Sequence, residues 1–204
     1  MTAVAATPAA RKQALRIAAL GRRDRLDAGH RAAAAAAVVR HALALAPLAG
    51  AATVSAYHPI RSELDPGPLV AALRAGGASI ALPVLVDAET MRFRLWDEGE
   101  RLVPAGFGTL GPPAGAAEAR PDALLVPLAA FDGSGFRIGY GKGHYDRAIA
   151  AFHAAAHRPF LVGLAFAAQA VDKIPAEPHD IPLDAIVTED GVIVPAGSGR
   201  MTEA

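Results

Sequence analysis

The chain has 204 residues, of which 52% are hydrophobic and 20% charged, a composition typical of a globular protein with a full core. Its formal net charge is zero, which argues against a broad binding surface for nucleic acid or anionic lipid. It contains no cysteine, so disulfides, thiolate nucleophiles and thiolate metal sites are excluded. The N-terminus lacks the charged-then-apolar order of a signal peptide, and no apolar run approaches the ~18 residues of a membrane span. We therefore expect a cytoplasmic protein.

Two helices are predicted at the N-terminus. Thr7 and Pro8 form a helix start, with a hydroxyl cap and a proline in the first turn, and this helix should run to about Arg25. Asp27 can cap a second helix that ends before Pro47, and its run of alanines favours helix strongly.

The rest of the chain alternates short apolar strands with helices. Strands are predicted over residues 52–59, 79–86, 91–96, 123–131, 160–166 and 184–194. Helices are predicted over residues 65–77 and 145–157, and residues 103–122, rich in Pro and Gly, should be mostly loop. This alternation predicts an α/β domain with a mostly parallel sheet. We expect one domain over residues 1–196, followed by a flexible tail over residues 197–204.

Residues 137–147, "RIGYGKGHYDR", form the most unusual segment. It lies between a predicted strand and a predicted helix, where parallel sheets bind ligands beyond the carboxyl ends of their strands. Glycines at three alternate positions, 139, 141 and 143, let a ligand approach the main chain, and successive N–H groups can form an anion-binding nest. The helix that follows adds the positive end of its dipole.

The charged residues of this segment fit a phosphate ligand. Arg137 and Lys142 supply cations for phosphate oxygens, and a carboxylate such as Asp146 beside phosphates implies a divalent cation, commonly Mg²⁺. Two common nucleotide fingerprints fail, because His144 replaces a third glycine in one and no Ser or Thr follows Lys142 in the other. An ordinary glycine-rich connection with solvated charges is the alternative.

The segment "VPLAAFDGSGFRIGYGKGHYDR", residues 126–147, resembles the 5-formyltetrahydrofolate cyclo-ligase family. The hallmark of that family is a strand ending in Phe-Asp, then Arg-Leu-Gly-x-Gly-x-Gly-Tyr-Tyr-Asp. Further family-like blocks follow the same order along the chain: residues 12–16, 57–66, 82–96 and 162–193.

The resemblance implies a fold, an activity and substrates. The fold is a single three-layer α/β/α domain, Rossmann-like and CoA-transferase-like, with a mostly parallel central sheet. The enzyme, a ligase, converts 5-formyltetrahydrofolate to 5,10-methenyltetrahydrofolate with MgATP and releases ADP and phosphate. Its partners are these small molecules, not nucleic acid or membrane, and it should be a monomer.

The resemblance also assigns residue roles. Those implied in ATP binding are Lys12, Arg16, Arg137, Gly139, Gly141, Lys142, Gly143, His144, Tyr145 and Asp146. Those implied in folate binding are Tyr57, Glu63, Met91, Phe93, Trp96 and Tyr145. The residues implied in catalysis are Arg137, Lys142 and Tyr145. The residues implied as ligands of Mg²⁺ are Asp146 and Asp180.

Each role has a structural alternative. Lys12 and Arg16 are four residues apart and share one helix face, but such a pair is often only a solvated basic face. Asp146 could begin a helix, Asp180 could cap a loop, and Glu63 could lie on the surface. For the three apolar candidates on or near the 91–96 strand, core packing is the stronger alternative.

Two features stay outside the resemblance. His144 replaces the first tyrosine of Tyr-Tyr-Asp, which brings a titratable ring into the site, and we expect folate binding to depend on pH near neutrality. Tyr140 lies where the family varies, and the basic segment at residues 21–25 matches no family position, so neither receives a role.

Two other functions compete with the cyclo-ligase. A non-catalytic nucleotide-binding module would lack a catalytic feature, yet every implied charged residue is present. A small-molecule kinase or sugar-phosphate enzyme on a related sheet would not need Glu63 and would not bind folate.

Overall fold

The computed structural model describes residues 7–106 and 108–196, in which a seven-stranded sheet lies between helices. The helices are α1 Pro8–Asp24, α2 Ala28–Leu43, α3 Ala46–Ala49, α4 Gly67–Ala75 and α5 His144–Ala154. The strands are β1 Thr53–Ser55, β2 Ser79–Leu85, β3 Met91–Leu95, β4 Val103–Gly106, β5 Thr109–Gly111, β6 Ala123–Pro127, β7 Ala130–Phe131, β8 Arg137–Ile138, β9 Phe160–Leu164, β10 Ala185–Thr188 and β11 Gly191–Ile193.

The main sheet has the strand order β11-β10-β9-β6-β1-β2-β3. The five inner strands are parallel, whereas β11 and β3 pair antiparallel at the two edges. From β1 the chain first adds β2 on one side and later β6 on the other, so the direction of winding reverses between β1 and β6. In open α/β sheets ligands bind beyond the carboxyl ends of the strands at such a reversal.

Alternating side chains of the inner strands pack into two separate cores. On β6, Ala123 and Leu125 belong to a core shared with α2 and α4, whereas Leu124 and Val126 belong to a core shared with α5. Because successive strand residues point to opposite faces, helices cover both sides of the sheet. The predicted three-layer, mostly parallel α/β fold is confirmed.

Both predicted helix caps are confirmed. The Thr7 hydroxyl accepts a hydrogen bond from the Ala10 N–H at 3.2 Å, and Asp27 Oδ1 accepts one from the His30 N–H at 2.8 Å. The second helix ends at Leu43, before Pro47 as expected, and the short α3 follows it.

The prediction that residues 103–122 are mostly loop missed a hairpin. Strands β4 and β5 pair antiparallel, with left-handed glycines at Gly106 (φ +96°) and Gly108 (φ +75°) in the connection. The hairpin packs closely on β2, since a Cβ at Gly111 would lie 2.9 Å from Val84 Cγ1. The glycines that suggested a loop are therefore the ones that permit the turn and the close packing.

The single strand predicted over residues 123–131 is divided into β6 and β7. Strand β7 leaves the main sheet and pairs antiparallel with β8, so the glycine-rich segment emerges from a small two-stranded ribbon.

In the described residues no helix is both long and apolar enough to cross a membrane. The single domain over residues 1–196 stays a prediction, and the tail at 197–204 lies outside the described residues.

Candidate active site

A cleft of about 1050 Å³ opens beyond the carboxyl ends of β1, β2 and β6. Its walls come from α1, the loop after β1, the β4–β5 hairpin, the glycine-rich segment with the start of α5, residues 177–181 and the ends of β2, β3 and β6. This is the position that the reversal of the strand order predicts. The cleft therefore collects residues from both ends of the chain.

The glycine-rich segment has the backbone of an anion site. Gly141 and Gly143 are left-handed, with φ of +86° and +66°, and Gly143 is the N-cap of α5. Glycine offers no side-chain cap, so the first N–H groups of α5 have no capping side chain to which they can donate. Gly139 has ordinary φ, and a Cβ built there would meet nothing within 4 Å. Together these features give a bare backbone at the positive end of a helix dipole.

Two cations from α1 reach this segment and the loop opposite it. Arg16 Nε donates to the Gly139 carbonyl at 2.7 Å, while Lys12 Nζ lies 2.7 Å from Glu177 Oε2 and 2.5 Å from Asp180 Oδ2. Burial alone would lower the pKa of Lys12, but its bonds to Asp180 and Glu177 raise the pKa overall. For Asp180, burial acts to raise the pKa and the Lys12 bond outweighs it, so the pKa is lowered.

Arg137 is almost fully buried and holds the loop closed. Its side chain is 5% exposed, Nη1 donates to the Ile181 carbonyl at 2.6 Å, and Nη2 pairs with Asp146 Oδ1 at 2.6 Å. The guanidinium thus ties β8 to α5 and to the segment after Asp180. Lys142, by contrast, is exposed at the tip of the loop and lines the cleft.

The two predicted metal ligands line the same cleft, and each is paired with a cation. Asp146 binds Arg137 and Asp180 binds Lys12. The described residues contain no group of three or more His, Asp or Glu side chains that could hold a metal. Mg²⁺ commonly takes one or two protein carboxylates together with waters and substrate phosphates. The donor set therefore fits a magnesium site that a bound phosphate would complete.

Glu63 is a buried carboxylate that lines the same cleft. It is 9% exposed, and its Oε2 accepts a hydrogen bond from the Ile60 N–H at 2.8 Å. Burial raises its pKa, although bonds from the Ile60 N–H and the Tyr140 side chain oppose this effect. A buried carboxylate held from one side keeps acceptor capacity for N–H donors of a ligand.

Two tyrosines frame Glu63. The Tyr57 hydroxyl donates to the Leu64 carbonyl at 2.7 Å, which fixes the loop after β1. The Tyr145 hydroxyl is buried and has no hydrogen-bond partner among the described residues. Burial, followed by the nearby charge of Glu63, raises the pKa of Tyr145, so this hydroxyl stays protonated. Both rings line the cleft, and Tyr145 brings a proton donor to it.

Of the three apolar residues expected to wall a folate site, only Met91 lines the cleft. Phe93 is 3% exposed and stacks on Phe152 with ring centroids 5.6 Å apart, in the core under α5. The guanidinium of Arg74 lies over the Trp96 ring, with Cζ 4.9 Å from the centroid of that ring.

The antiparallel register of β3 explains this difference. Met91 lies beside Leu85, at the carboxyl end of β2, whereas the Trp96 N–H donates to Ile80 near the opposite end. The five residues of β3 carry the chain away from the cleft, so the placement of Phe93 and Trp96 offers no support for a folate contact.

One buried residue of this region was missed in the sequence. Arg23 is 1% exposed and donates from Nη1 to the Tyr140 hydroxyl and from Nε to Ser62 Oγ, both at 3.0 Å. The sequence could have indicated this position, because Lys12, Arg16 and Arg23 have the spacing of residues on one face of a helix. The basic segment at residues 21–25 is therefore not simply solvated.

Comparison with known proteins gives consistent results. A model of the 5-formyltetrahydrofolate cyclo-ligase family matches residues 8–189. A 5-formyltetrahydrofolate cyclo-ligase of Escherichia coli K12 is 35% identical over 152 residues, covering 72% of this chain and 82% of the relative. The protein of that name from Mycolicibacterium smegmatis is 37% identical over 150 residues, covering 70% and 76%.

Two solved structures share the fold. The NMR structure of Aquifex aeolicus 5,10-methenyltetrahydrofolate synthetase gives a TM-score of 0.76 at 28% identity and covers 95% of this chain and 96% of that one. A 5,10-methenyltetrahydrofolate synthetase from Mycoplasma pneumoniae gives a TM-score of 0.69 at 23% identity, covering 87% and 98%. The second likeness concerns the fold alone.

Proposed function

The chain belongs to the 5-formyltetrahydrofolate cyclo-ligase family, and on that premise we propose that it converts 5-formyltetrahydrofolate to 5,10-methenyltetrahydrofolate. ATP is the co-substrate, magnesium accompanies it, and ADP and phosphate are released. A monomer in the cytoplasm is part of the same proposal.

One observation carries the proposal: a single cleft joins two chemically different halves. One half is formed by the glycine-rich segment with Lys12, Arg16 and Arg137, which suits a triphosphate. The other half holds the buried Glu63 beside Tyr57 and Tyr145, which suits a flat heterocycle with N–H donors. A binding site for one phosphate compound alone would not account for the second half.

The proposed reaction uses this arrangement to activate a poor leaving group. The formyl oxygen attacks the γ-phosphorus of ATP, the bond to the β-γ bridging oxygen breaks, and ADP leaves. N10 of the folate then attacks the carbon that bears the phosphorylated oxygen, gives up its proton and closes the ring. Inorganic phosphate departs with the formyl oxygen and carries that proton as hydrogen phosphate, and the methenyl cation remains. The main task of the protein is to align two substrates and offset phosphate charge.

On the ATP side, Arg137 and Lys142 are assigned to the transferred phosphoryl group, with Lys12 and Arg16 on the remaining phosphates. The backbone N–H groups at Gly139, Gly141, Gly143, His144 and Tyr145 complete the cradle. Both Arg137 and Lys12 are paired with carboxylates, so phosphate binding requires an exchange of partners. Cations that are already placed and charged need little reorganisation during the transfer.

Asp146 and Asp180 are the residues that would hold magnesium. When bound, the ion would neutralise phosphate charge as it moves from ATP to the formyl oxygen. The exchange described above frees these carboxylates at the moment when the phosphates engage Arg137 and Lys12. This coupling favours binding of the metal together with ATP.

On the folate side, Glu63 is assigned to the N–H donors of the pterin. Tyr145 lies between the two halves, and its protonated hydroxyl can donate to a substrate oxygen. Tyr57 and Met91 supply apolar surface in the same part of the cleft.

The test is direct. Purified protein is incubated with 5-formyltetrahydrofolate and MgATP, and the near-ultraviolet absorption of the methenyl product is followed. The proposal fails if folded protein forms no product and neither ligand raises its melting temperature. A nucleotide-binding module would respond to ATP without forming product, and a kinase of another substrate would not respond to the folate.

A further inference from the structure

A buried cation connects α1 to both halves of the cleft. Arg23 is 1% exposed, and its Nη1 donates to the Tyr140 hydroxyl at 3.0 Å. The Tyr140 side chain in turn interacts with that of Glu63, and both side chains line the cleft. A tyrosine hydroxyl both accepts and donates, so the three groups form a chain from guanidinium to hydroxyl to carboxylate.

This cation requires compensation that its direct partners do not fully supply. A buried guanidinium is unfavourable unless it is paired. Asp24, its ion-pair partner, lies at 3.7 Å with a side chain that is 60% exposed, and Ser62 is neutral. The buried carboxylate of Glu63, one hydroxyl away, supplies the remaining negative charge. Arg23 and Glu63 therefore stabilise each other through Tyr140.

The position of Tyr140 gives this chain a further consequence. Tyr140 lies between Gly139 and Gly141, in the segment assigned to ATP, yet its side chain contacts the carboxylate assigned to the folate. Arg23 lies on α1, the helix that also carries Lys12 and Arg16. The chain therefore holds the two halves of the cleft in a defined relation.

We propose that Arg23 and Tyr140 are positioning residues that orient the Glu63 carboxylate for the pterin. The inference rests on the proposed function. Neither residue needs to touch a substrate, since both act through Glu63. Selectivity for a heterocycle that presents N–H donors then depends on Arg23, a residue of the first helix.

The charges around Glu63 agree with this role. Burial raises the pKa of Glu63, whereas the bond from Tyr140 and the charge of Arg23 act to lower it. Ionisable side chains that interact with Glu63 come from α1, from its own loop, from the end of β1 and from the glycine-rich segment: Arg23, Arg61, Tyr57, Tyr140 and Tyr145. Loss of the Tyr140 hydroxyl therefore raises the pKa of Glu63.

The primary test is Tyr140→Phe, which keeps the ring and removes the hydroxyl. We expect the KM for 5-formyltetrahydrofolate to rise about tenfold, as for the loss of one hydrogen bond to a charged group, with the KM for ATP unchanged. The acid limb of folate affinity should move to higher pH, because a less stabilised carboxylate protonates earlier. If Tyr140 had a purely structural role, the pH dependence of folate affinity would not move, and the KM for folate would not rise without a change in the KM for ATP.

A second variant tests whether Arg23 acts through Tyr140. Arg23→Met should raise the folate KM in the same direction, and the double variant with Tyr140→Phe should show less than the product of the two effects. The matched control is Arg22→Met, which removes an adjacent arginine that donates to the Ala168 and Ala170 carbonyls at 2.6 and 2.7 Å. This control should lower stability without a selective change in folate affinity.

The outcomes separate the two proposals. If the wild type binds folate and forms product while Tyr140→Phe keeps its folate KM and pH profile, the inference is wrong and the proposed function stands. If the two single effects multiply in the double variant, Arg23 does not act through Tyr140. If Arg23→Met does not fold, Tyr140→Phe alone decides. A wild type that neither binds folate nor forms product overturns both.

Discussion

Arg137 and Asp146 are nine residues apart in sequence and form a 2.6 Å ion pair across the base of the glycine-rich segment. The arginine belongs to β8 and the aspartate to the first turn of α5, so the pair fixes the ends of the segment between them. In the proposed reaction the two partners separate, with Arg137 turning to phosphate and Asp146 to magnesium.

Asp146→Asn separates the metal role from substrate binding. We expect kcat to fall by about a hundredfold, a typical effect of removing one group that stabilises charge in the transition state. Folate affinity should change little, because Asp146 lies on the ATP side. Turnover at saturating MgATP and the folate-induced shift in melting temperature measure the two effects.

The control for this variant is Asp172→Asn, an exposed aspartate away from the cleft, which should behave like the wild type. Unchanged turnover of Asp146→Asn at saturating MgATP would contradict the metal role.

Two glycines of one segment should respond differently to alanine. Gly141→Ala places a Cβ on a left-handed backbone, 3.4 Å from Arg16 Nη2, and should lower the free energy of unfolding by about 1 kcal/mol. Gly139→Ala has ordinary φ and open space, so its stability should be unchanged. Its methyl group would nevertheless stand where phosphate approaches, and ATP affinity should fall about tenfold.

Thermal unfolding with and without ATP gives both quantities. Each glycine serves as the control for the other, since they differ by one methyl group at alternate positions. If Gly139→Ala binds ATP as tightly as the wild type, the main chain at this position does not contact phosphate.

Lys12→Met should lower stability by about 1 kcal/mol in a defined range of pH. The lowered pKa of Asp180 gives a contribution that is present above its ordinary value of 3.8 and is lost as the pH falls below it. The raised pKa of Lys12 gives a contribution that is present below 10.5 and is lost as the pH rises above it. The difference from the wild type should therefore be flat at intermediate pH and shrink at both extremes.

Chemical denaturation at several pH values measures this profile. Arg11→Met, which removes the neighbouring exposed cation of α1, is the control and should show no such dependence. A stability difference that does not shrink as the pH falls well below 3.8 would show that the lost pair is not the cause.

His144→Tyr tests the residue that departs from the family pattern. His144 lines the cleft, and its Nδ1 lies 3.0 Å from Arg147 Nη2. His144→Tyr removes this nitrogen partner of Arg147 and places a larger ring at the cleft wall. We therefore expect the folate affinity of His144→Tyr to differ from that of the wild type.

Folate affinity measured at one pH in both proteins is the readout. His153→Tyr, a change on the same helix outside the cleft, should keep the wild-type affinity. Equal folate affinity in the wild type and His144→Tyr would reject the idea.

Elements with strong local signals could be predicted, and elements that depend on distant packing could not. The starts of α1 and α2 could be predicted from Thr7 and Asp27, because a capping side chain bonds to a backbone N–H only three residues away. The β4–β5 hairpin is rich in glycine and becomes a strand pair by packing on β2, which no local pattern records. The break between β6 and β7 has the same origin, since the chain remains apolar throughout.

The site shows the same division. The glycine-rich segment could be identified from its residue types alone. The position of the cleft could be predicted from the alternation of strands and helices. The roles of Phe93 and Trp96 depend on the antiparallel register of β3, which sequence alone does not specify. Arg23 was overlooked because a charged residue is ordinarily assigned to the surface, although its helical spacing from Arg16 was visible.

The contacts of Lys12 with Glu177 and Asp180 span 165 and 168 residues. Part of the cleft is thus assembled from segments near opposite ends of the described chain, and this part requires that α1 is docked. A ligand that binds this assembled state and not the undocked one shifts the population toward docking in proportion to its affinity and concentration. Substrate binding and retention of the first helix are therefore a single linked equilibrium, and amide exchange in α1 should slow when the cleft is filled.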